Sequence, residues 1–258
     1  MIENIVVSGC SFTELNDEYT SWSEYVANHY GIKSYINLGM GAAGNYYIAN
    51  SIIDYLECNR PVPEKTLILV MWSGVARKDI RISQEWWNLL DHQDYAFKAQ
   101  TQYFSIDNGI DESNYFVFGG PAGGTLGKND TIKSIFLWPD KVSSPEISCK
   151  ESLIQFLNLE NYLKTRGYTY RFLSYLNYWE PISIVKFGEY SIGLHCARTG
   201  IFKNFDFSNW IFVNTKKDCF GEYAMQQQQL DSTNHPTGQC HQTFAENIVI
   251  PNLKVLFK

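Results

Sequence analysis

Val6-Val7-Ser8-Gly9-Cys10-Ser11-Phe12-Thr13 is a β-branched run that stops in a small-residue turn carrying a hydroxyl. A strand of Ile5, Val6 and Val7 that ends at Ser8-Gly9 delivers Ser11 to the carboxyl edge of a sheet, where open α/β folds hold their ligands. Ser11 is therefore the candidate nucleophile. Downstream, Trp22, Tyr25, Val26 and His29 recur at helical spacing and Gly31 stops the helix. Ser34-Tyr35-Ile36-Asn37-Leu38 reads as a second strand leading into Gly39-Met40-Gly41-Ala42-Ala43-Gly44-Asn45. A helix follows from about Tyr46 through Ile48, Ile52, Ile53 and Leu56, and Pro61 and Pro63 end it. Thr66-Leu67-Ile68-Leu69-Val70-Met71-Trp72 is a continuous apolar run, the mark of a strand buried on both faces of a parallel sheet. This alternation predicts a three-layer α/β/α domain with a mostly parallel, doubly wound, flavodoxin-like sheet.

Further along, Leu153, Phe156, Leu157 and Leu163 mark a helix closed by Arg166-Gly167, and Tyr170-Arg171-Phe172-Leu173-Ser174-Tyr175 reads as the next strand. The last helix is expected to include Phe244, Ala245, Ile248 and Leu253. Between about 77 and 145, and again between about 179 and 225, the periodicity fails and aromatic residues accumulate. These read as two irregular insertions in a single domain covering 1–258, the first of them a lid or a partner surface.

The chain of 258 residues carries a formal net charge of −6 and no Lys/Arg stripe, which argues against nucleic acid as a partner. It has no run of eighteen apolar residues and no basic leader ahead of an apolar stretch, so the expectation is no membrane span and a cytoplasmic location, with virion association as the other possibility. Cys10, Cys58, Cys149, Cys196, Cys219 and Cys240 are scattered without CxxC pairs, the pattern of reduced thiols rather than of a disulfide framework or zinc cage. Oligomeric state is not encoded at this level.

Near the other end, Asp231-Ser232-Thr233-Asn234-His235-Pro236-Thr237-Gly238 places a carboxylate and an imidazole in one loop ahead of a helix. A serine hydroxyl needs an imidazole within hydrogen-bond reach and a third group to orient it, so His235 is the candidate base and Asp231 the orienting acid. Taken together, GCSFT at the first turn and HPTGQCHQTFAE near the carboxyl end resemble the SGNH (GDSL-like) hydrolase family, in particular its phage and bacterial members with GCSF. Ser11, His235, Pro236, Cys240 and Ala245 fall on that family's motif positions, and SWSEYVA looks like its first helix. The resemblance implies an ester hydrolase in which Ser11 attacks, His235 acts as base and no cofactor takes part.

The chain departs from the family pattern in several places. Cys10 replaces the acidic residue of GDS, Cys240 stands where Gly is common, and Ser232 occupies the position of the usual acid, which leaves Asp231 one residue further away. The third block, normally GxND, is replaced by Trp72-Ser73-Gly74-Val75-Ala76-Arg77. The expected oxyanion donors are then the backbone N–H groups of Ser11 and of Gly44 or Gly41, with Asn45, Ser73 and Arg77 as side-chain replacements.

Other motifs compete. Gly39-Met40-Gly41-Ala42-Ala43-Gly44 matches GxGxxG, but it follows the second strand rather than the first, and the next strand ends without an acidic residue to hold a ribose. Gly123-Gly124-Thr125-Leu126-Gly127-Lys128-Asn129 lacks the first Gly and the Ser/Thr of a phosphate loop. Asp231, His235, Cys240 and His241 do not have the spacing of a metal site. The sequence thus predicts a serine esterase without cofactor or metal, acting on a small-molecule or glycan ester such as an O-acetyl group. The alternative is a binding or structural module of the same fold, a virion component among them, with weak or lost catalysis.

Overall fold

In this computed structural model the described residues are 1–15, 17–75, 77–82, 98–100, 114–118, 145–179 and 202–257. Strand β1 (Asn4–Ser8), helix α1 (Trp22–His29), strand β2 (Ser34–Asn37), helix α2 (Asn45–Asn59) and strand β3 (Thr66–Trp72) follow one another as the sequence pattern predicts. Three strands come next, β4 (Lys78–Ile82), β5 (Lys98–Gln100) and β6 (Asn114–Phe118). Helix α3 (Pro145–Arg166) and strand β7 (Thr169–Ser174) resume the main domain. The carboxyl end adds α4 (Phe220–Gln226), α5 (Gly238–Phe244), a π turn over Ala245–Val249, and a last helical turn α6 (Ile250–Leu253).

Strands β2, β1, β3 and β7 form, in that order, a wholly parallel sheet. β3 is buried along its entire length, as its unbroken apolar composition requires of a strand covered on both faces. Helix α1 packs with α5 and the π turn, while α2 packs with α3, and the two helix pairs are the outer layers of an α/β/α fold. The Ser21 hydroxyl caps α1 by accepting the Glu24 N–H at 3.3 Å.

The first irregular stretch contains order that the sequence pattern did not show. β4, β6 and β5 form an antiparallel sheet in that order. Strands of three to five residues are too short for alternation to stand out, and this explains the missed elements. The phosphate-loop-like segment 123–129 lies outside the described residues.

In the described part of the second aromatic stretch, Trp179, Phe202, Trp210 and Phe220 are buried in the core. Phe156 of α3 meets the rings of Trp72, Trp179, Phe202, Phe205 and Trp210 at centroid distances of 4.4 to 6.2 Å. Phe172 N–H donates to the Asn209 carbonyl at 3.0 Å and Ile211 N–H to the Phe172 carbonyl at 2.8 Å, so the backbone around Trp210 extends the sheet beyond β7. A polar connection here would leave the β7 edge bare, and the aromatic residues cover it.

A second correction concerns the thiols. Cys149 is disulfide-bonded, contrary to the expectation of six reduced cysteines, while Cys10, Cys58, Cys219 and Cys240 are free. Wide spacing in a long chain says nothing about which thiols the fold brings together. Among the described residues no helix is long and apolar enough to cross a membrane.

Phe156 and Leu157 separate a buried from an exposed position on one helix, with exposures of 1% and 40%. Phe156→Ala is expected to destabilise the fold by about 3–5 kcal/mol and Leu157→Ala by less than about 0.5 kcal/mol, as read by urea denaturation.

Candidate active site

Ser11 begins the single helical turn that follows β1, in which the N–H groups of Thr13 and Glu14 donate to the Cys10 carbonyl at 2.8 and 3.0 Å. The turn places Ser11 half-buried at the carboxyl edge of the sheet and turns Phe12 inward. At the other end of the chain, residues 229–237 form a tight hairpin. Asp231 N–H donates to the His235 carbonyl at 2.8 Å, Thr237 N–H donates to the Gln229 carbonyl at 2.9 Å, and Asn234 takes the left-handed turn position with φ 64°. The Thr237 hydroxyl then caps α5 by accepting the Cys240 N–H.

These two loops meet. Ser11 Oγ lies 3.0 Å from His235 Nε2 across a sequence separation of 224 residues. The imidazole rests on the Phe12 ring at 5.5 Å between centroids, and Phe12 is fixed in turn by Tyr175 at 5.0 Å and Phe220 at 5.8 Å. Asp231 does not reach the imidazole directly. His235 Nδ1 lies 2.9 Å from the Thr233 hydroxyl, which donates to Asp231 Oδ1 at 2.7 Å. The same carboxylate oxygen accepts the N–H groups of Thr233 and His235 at 2.7 and 3.0 Å. Partial burial works to raise the Asp231 pKa, but these hydrogen bonds and the nearby His235 outweigh it and hold the pKa below the usual value.

The bonds have one consistent direction. Thr233 donates to Asp231, so its oxygen accepts from Nδ1–H, and Nε2 is left as the acceptor for the Ser11 hydroxyl. That is the tautomer a general base requires. Thr233 was not singled out from the sequence. Its signal was the Asx turn that Asp231 makes two residues on, a local hydrogen bond typical of such loops.

The side-chain donors expected from the sequence are mostly committed elsewhere. Asn45 Oδ1 accepts the Ser73 N–H at 2.8 Å, and its Nδ2 donates to the Ser73 carbonyl and the Ser152 hydroxyl at 3.2 and 3.0 Å. The whole amide therefore ties the end of β3 to the start of α2, which corrects its reading as the replacement oxyanion donor. Gly44 N–H donates to Asp79 Oδ1 at 2.8 Å, and the other carboxylate oxygen takes the Tyr47 N–H at 2.8 Å. Asp79 thus fills the place of an N-cap for α2, and burial raises its pKa to about 6 against the pull of those two N–H groups. The Ser73 hydroxyl is buried without a hydrogen-bond partner among the described residues. Arg77 lies over the Tyr175 ring at 5.2 Å and donates to the Ala43 carbonyl at 3.4 Å, one ring removed from Phe12. A cavity of about 230 Å³ opens there, lined in part by Asn45, Val75, Arg77 and Gln155.

The glycines of the GxGxxG match make room for protein groups. A Cβ on Gly41 would lie 2.9 Å from Glu14 Oε2, and one on Gly44 would lie 2.7 Å from Asp79 Oδ2. The loop is glycine-rich because two of this chain's own carboxylates press on it. Glu14 is a second residue the sequence reading passed over: it projects half-buried from the Ser11 turn, and burial raises its pKa while the Gly41 N–H and His235 draw it back. His241, considered above only as a metal ligand, is fully buried; its Nδ1 accepts the Trp22 N–H at 3.1 Å and Tyr19 stacks on its ring at 4.8 Å. It supplies one of the acceptors that the start of α1 lacks.

No family model matches the chain, and no curated protein matches it. Among solved structures, the crystal structure of a candidate acylhydrolase from Bacteroides fragilis aligns over 99% of this chain and 88% of its own, with 10% identity and a TM-score of 0.44.

Burial, together with the charge of His235, drives the His241 pKa down from 6.5 to about 3. A depressed imidazole contributes stability that is complete above the unfolded pKa and is lost as pH falls through that window. The wild-type chain should therefore lose roughly 3–5 kcal/mol from this group between pH 6.5 and 3. His241→Gln keeps an acceptor for Trp22 and should lack that share of the acid slope. Asp79 and Glu222, raised to about 6 and about 7, act with the opposite sign in both proteins, so the difference between the two denaturation profiles isolates His241.

Proposed function

We propose that the chain is a serine hydrolase of the SGNH type that cleaves a carboxylic ester through an acyl-enzyme, with Ser11 as nucleophile and His235 as base. The observation that carries the reading is the 3.0 Å contact between Ser11 Oγ and His235 Nε2, with the imidazole held in the proton-accepting tautomer by Thr233. In the proposed reaction, Oγ attacks the ester carbonyl as its proton passes to Nε2. The tetrahedral intermediate then expels the alcohol, which takes that proton. Water repeats the cycle on the acyl-enzyme, giving the carboxylic acid and free Ser11. Asp231 orients the imidazole through Thr233 rather than by contact.

The oxyanion is assigned to the backbone N–H of Ser11, which has no acceptor among the described residues, because Gly44 N–H serves Asp79 and Gly41 N–H serves Glu14. A small-molecule or glycan ester is the proposed substrate. Commitment of Asn45, Gly44 and Gly41 to structural bonds favours the second reading to the extent that it removes three expected donors, each worth about 10²- to 10³-fold in turnover. That reading keeps the fold as a binding or structural module with little catalysis.

Hydrolysis of p-nitrophenyl acetate and covalent labelling by a fluorophosphonate, read by mass spectrometry, should both require Ser11 and vanish in Ser11→Ala while the melting curve is unchanged. Intact wild-type protein that takes no label at Ser11 would establish the second reading instead. Thr233→Val should lower kcat/KM roughly tenfold with little change in KM, because water can replace only part of an exposed orienting bond.

A further inference from the structure

We propose that Glu14 sets the charge preference of this site, favouring esters that carry a positive charge near the reacting carbonyl over their anionic counterparts. The inference rests on the hydrolase reading above and deepens it by naming the substrate class.

Glu14 and Ser11 share one helical turn, three residues apart, and side chains at that spacing stand on the same face. The Glu14 side chain runs along the second loop, with Oε2 at the place a Gly41 side chain would fill. Its backbone is equally close to that loop: a Cβ on Gly39 would come within 2.9 Å of the Glu14 N atom. Asn37 clamps the same turn by donating to the Thr13 carbonyl at 2.7 Å while its Oδ1 accepts the Gly39 N–H at 2.7 Å. The carboxylate is therefore held against the second loop, not left to sweep through solvent.

His235 faces it from the hairpin and Gly41 N–H from the loop, both favouring the ionised form against the burial that disfavours it. Arg77 stands beyond Phe12 and Tyr175, and its charge acts on Asp79. A half-buried negative charge on the Ser11 turn then adds to that of Asp231 on the His235 hairpin. At the effective dielectric of a protein surface, such a charge a few ångströms from a charged substrate changes rates by on the order of tenfold. It also acts by exclusion, because an anionic substrate meets like charge at the point where the oxyanion must form.

Three thioesters share one acyl group and differ in charge: acetylthiocholine, S-acetyl-2-mercaptoethanol and S-acetylthioglycolate, each followed by release of thiol and each rate divided by that of its hydroxide-catalysed hydrolysis, which removes the difference in thiol acidity. For the wild-type protein, kcat/KM should fall in that order, and the cation-to-anion ratio should shrink as salt is raised. Glu14→Gln, of nearly the same shape, should lower the ratio about tenfold while retaining turnover of the neutral ester. Glu14→Asp keeps the charge and should preserve most of the preference. A ratio unchanged by Glu14→Gln, or a wild-type ratio indifferent to salt, overturns the assignment of Glu14 and leaves the hydrolase reading standing. Failure of the wild-type protein to cleave any of the three, with Ser11 also unlabelled by fluorophosphonate, overturns both.

Discussion

The hydrogen bond between the Ser11 hydroxyl and the His235 imidazole closes a loop of more than two hundred residues, and it exists only because rigid elements deliver both ends to one place. Closing such a loop with flexible chain would cost entropy that a single hydrogen bond of about 1 kcal/mol cannot supply. Strand β1 is held between β2 and β3 by parallel ladders on both sides, which fixes where the Ser11 turn starts. The hairpin bearing His235 opens directly into α5, and His241 of α5 accepts the first N–H of α1. Helix α1 itself begins eleven residues after the nucleophile, so the two loops are anchored to one pair of helices.

A second constraint explains why the polar side chains near the site do so little that a substrate could use. The carboxyl edge of a parallel sheet and the amino end of a helix both leave backbone groups without partners. Ser73 at the end of β3 presents an N–H and a carbonyl there, and Asn45 satisfies both with one amide. Gly44 and Tyr47 at the start of α2 present two N–H groups, and Asp79 satisfies both with one carboxylate. These residues complete the scaffold before any of them can serve a substrate.

This also marks the limit of what could be read from the sequence. Periodicity was sufficient for the parallel sheet and its helices, because β3 is apolar throughout and α1 and α2 show helical spacing. Ser11 and His235 were nominated from a strand-ending turn and a pre-helical loop, and their side chains lie 3.0 Å apart. Periodicity could not assign Asn45 or Asp79, because a polar residue near a glycine loop looks the same whether it serves substrate or backbone. The place of the aromatic residues around Trp210 was not legible for a similar reason: composition records how much apolar surface a segment has, and only the packing against Phe156 shows where it goes.

Thr233 follows from the geometry of its loop. Asp231 stands four residues before the imidazole and its carboxylate closes the loop, taking the N–H groups of Thr233 and His235. A hydroxyl is the side chain suited to bridge the remaining gap, because it can accept from Nδ1–H and donate onward in the same geometry. An amine could not accept, and a carboxylate could not donate while ionised. The bridge preserves direction but attenuates charge, since the imidazolium formed during turnover would face a neutral oxygen with the anion one bond further out and exposed to water. Orientation of the ring therefore rests on Thr233 together with the Phe12 face beneath it.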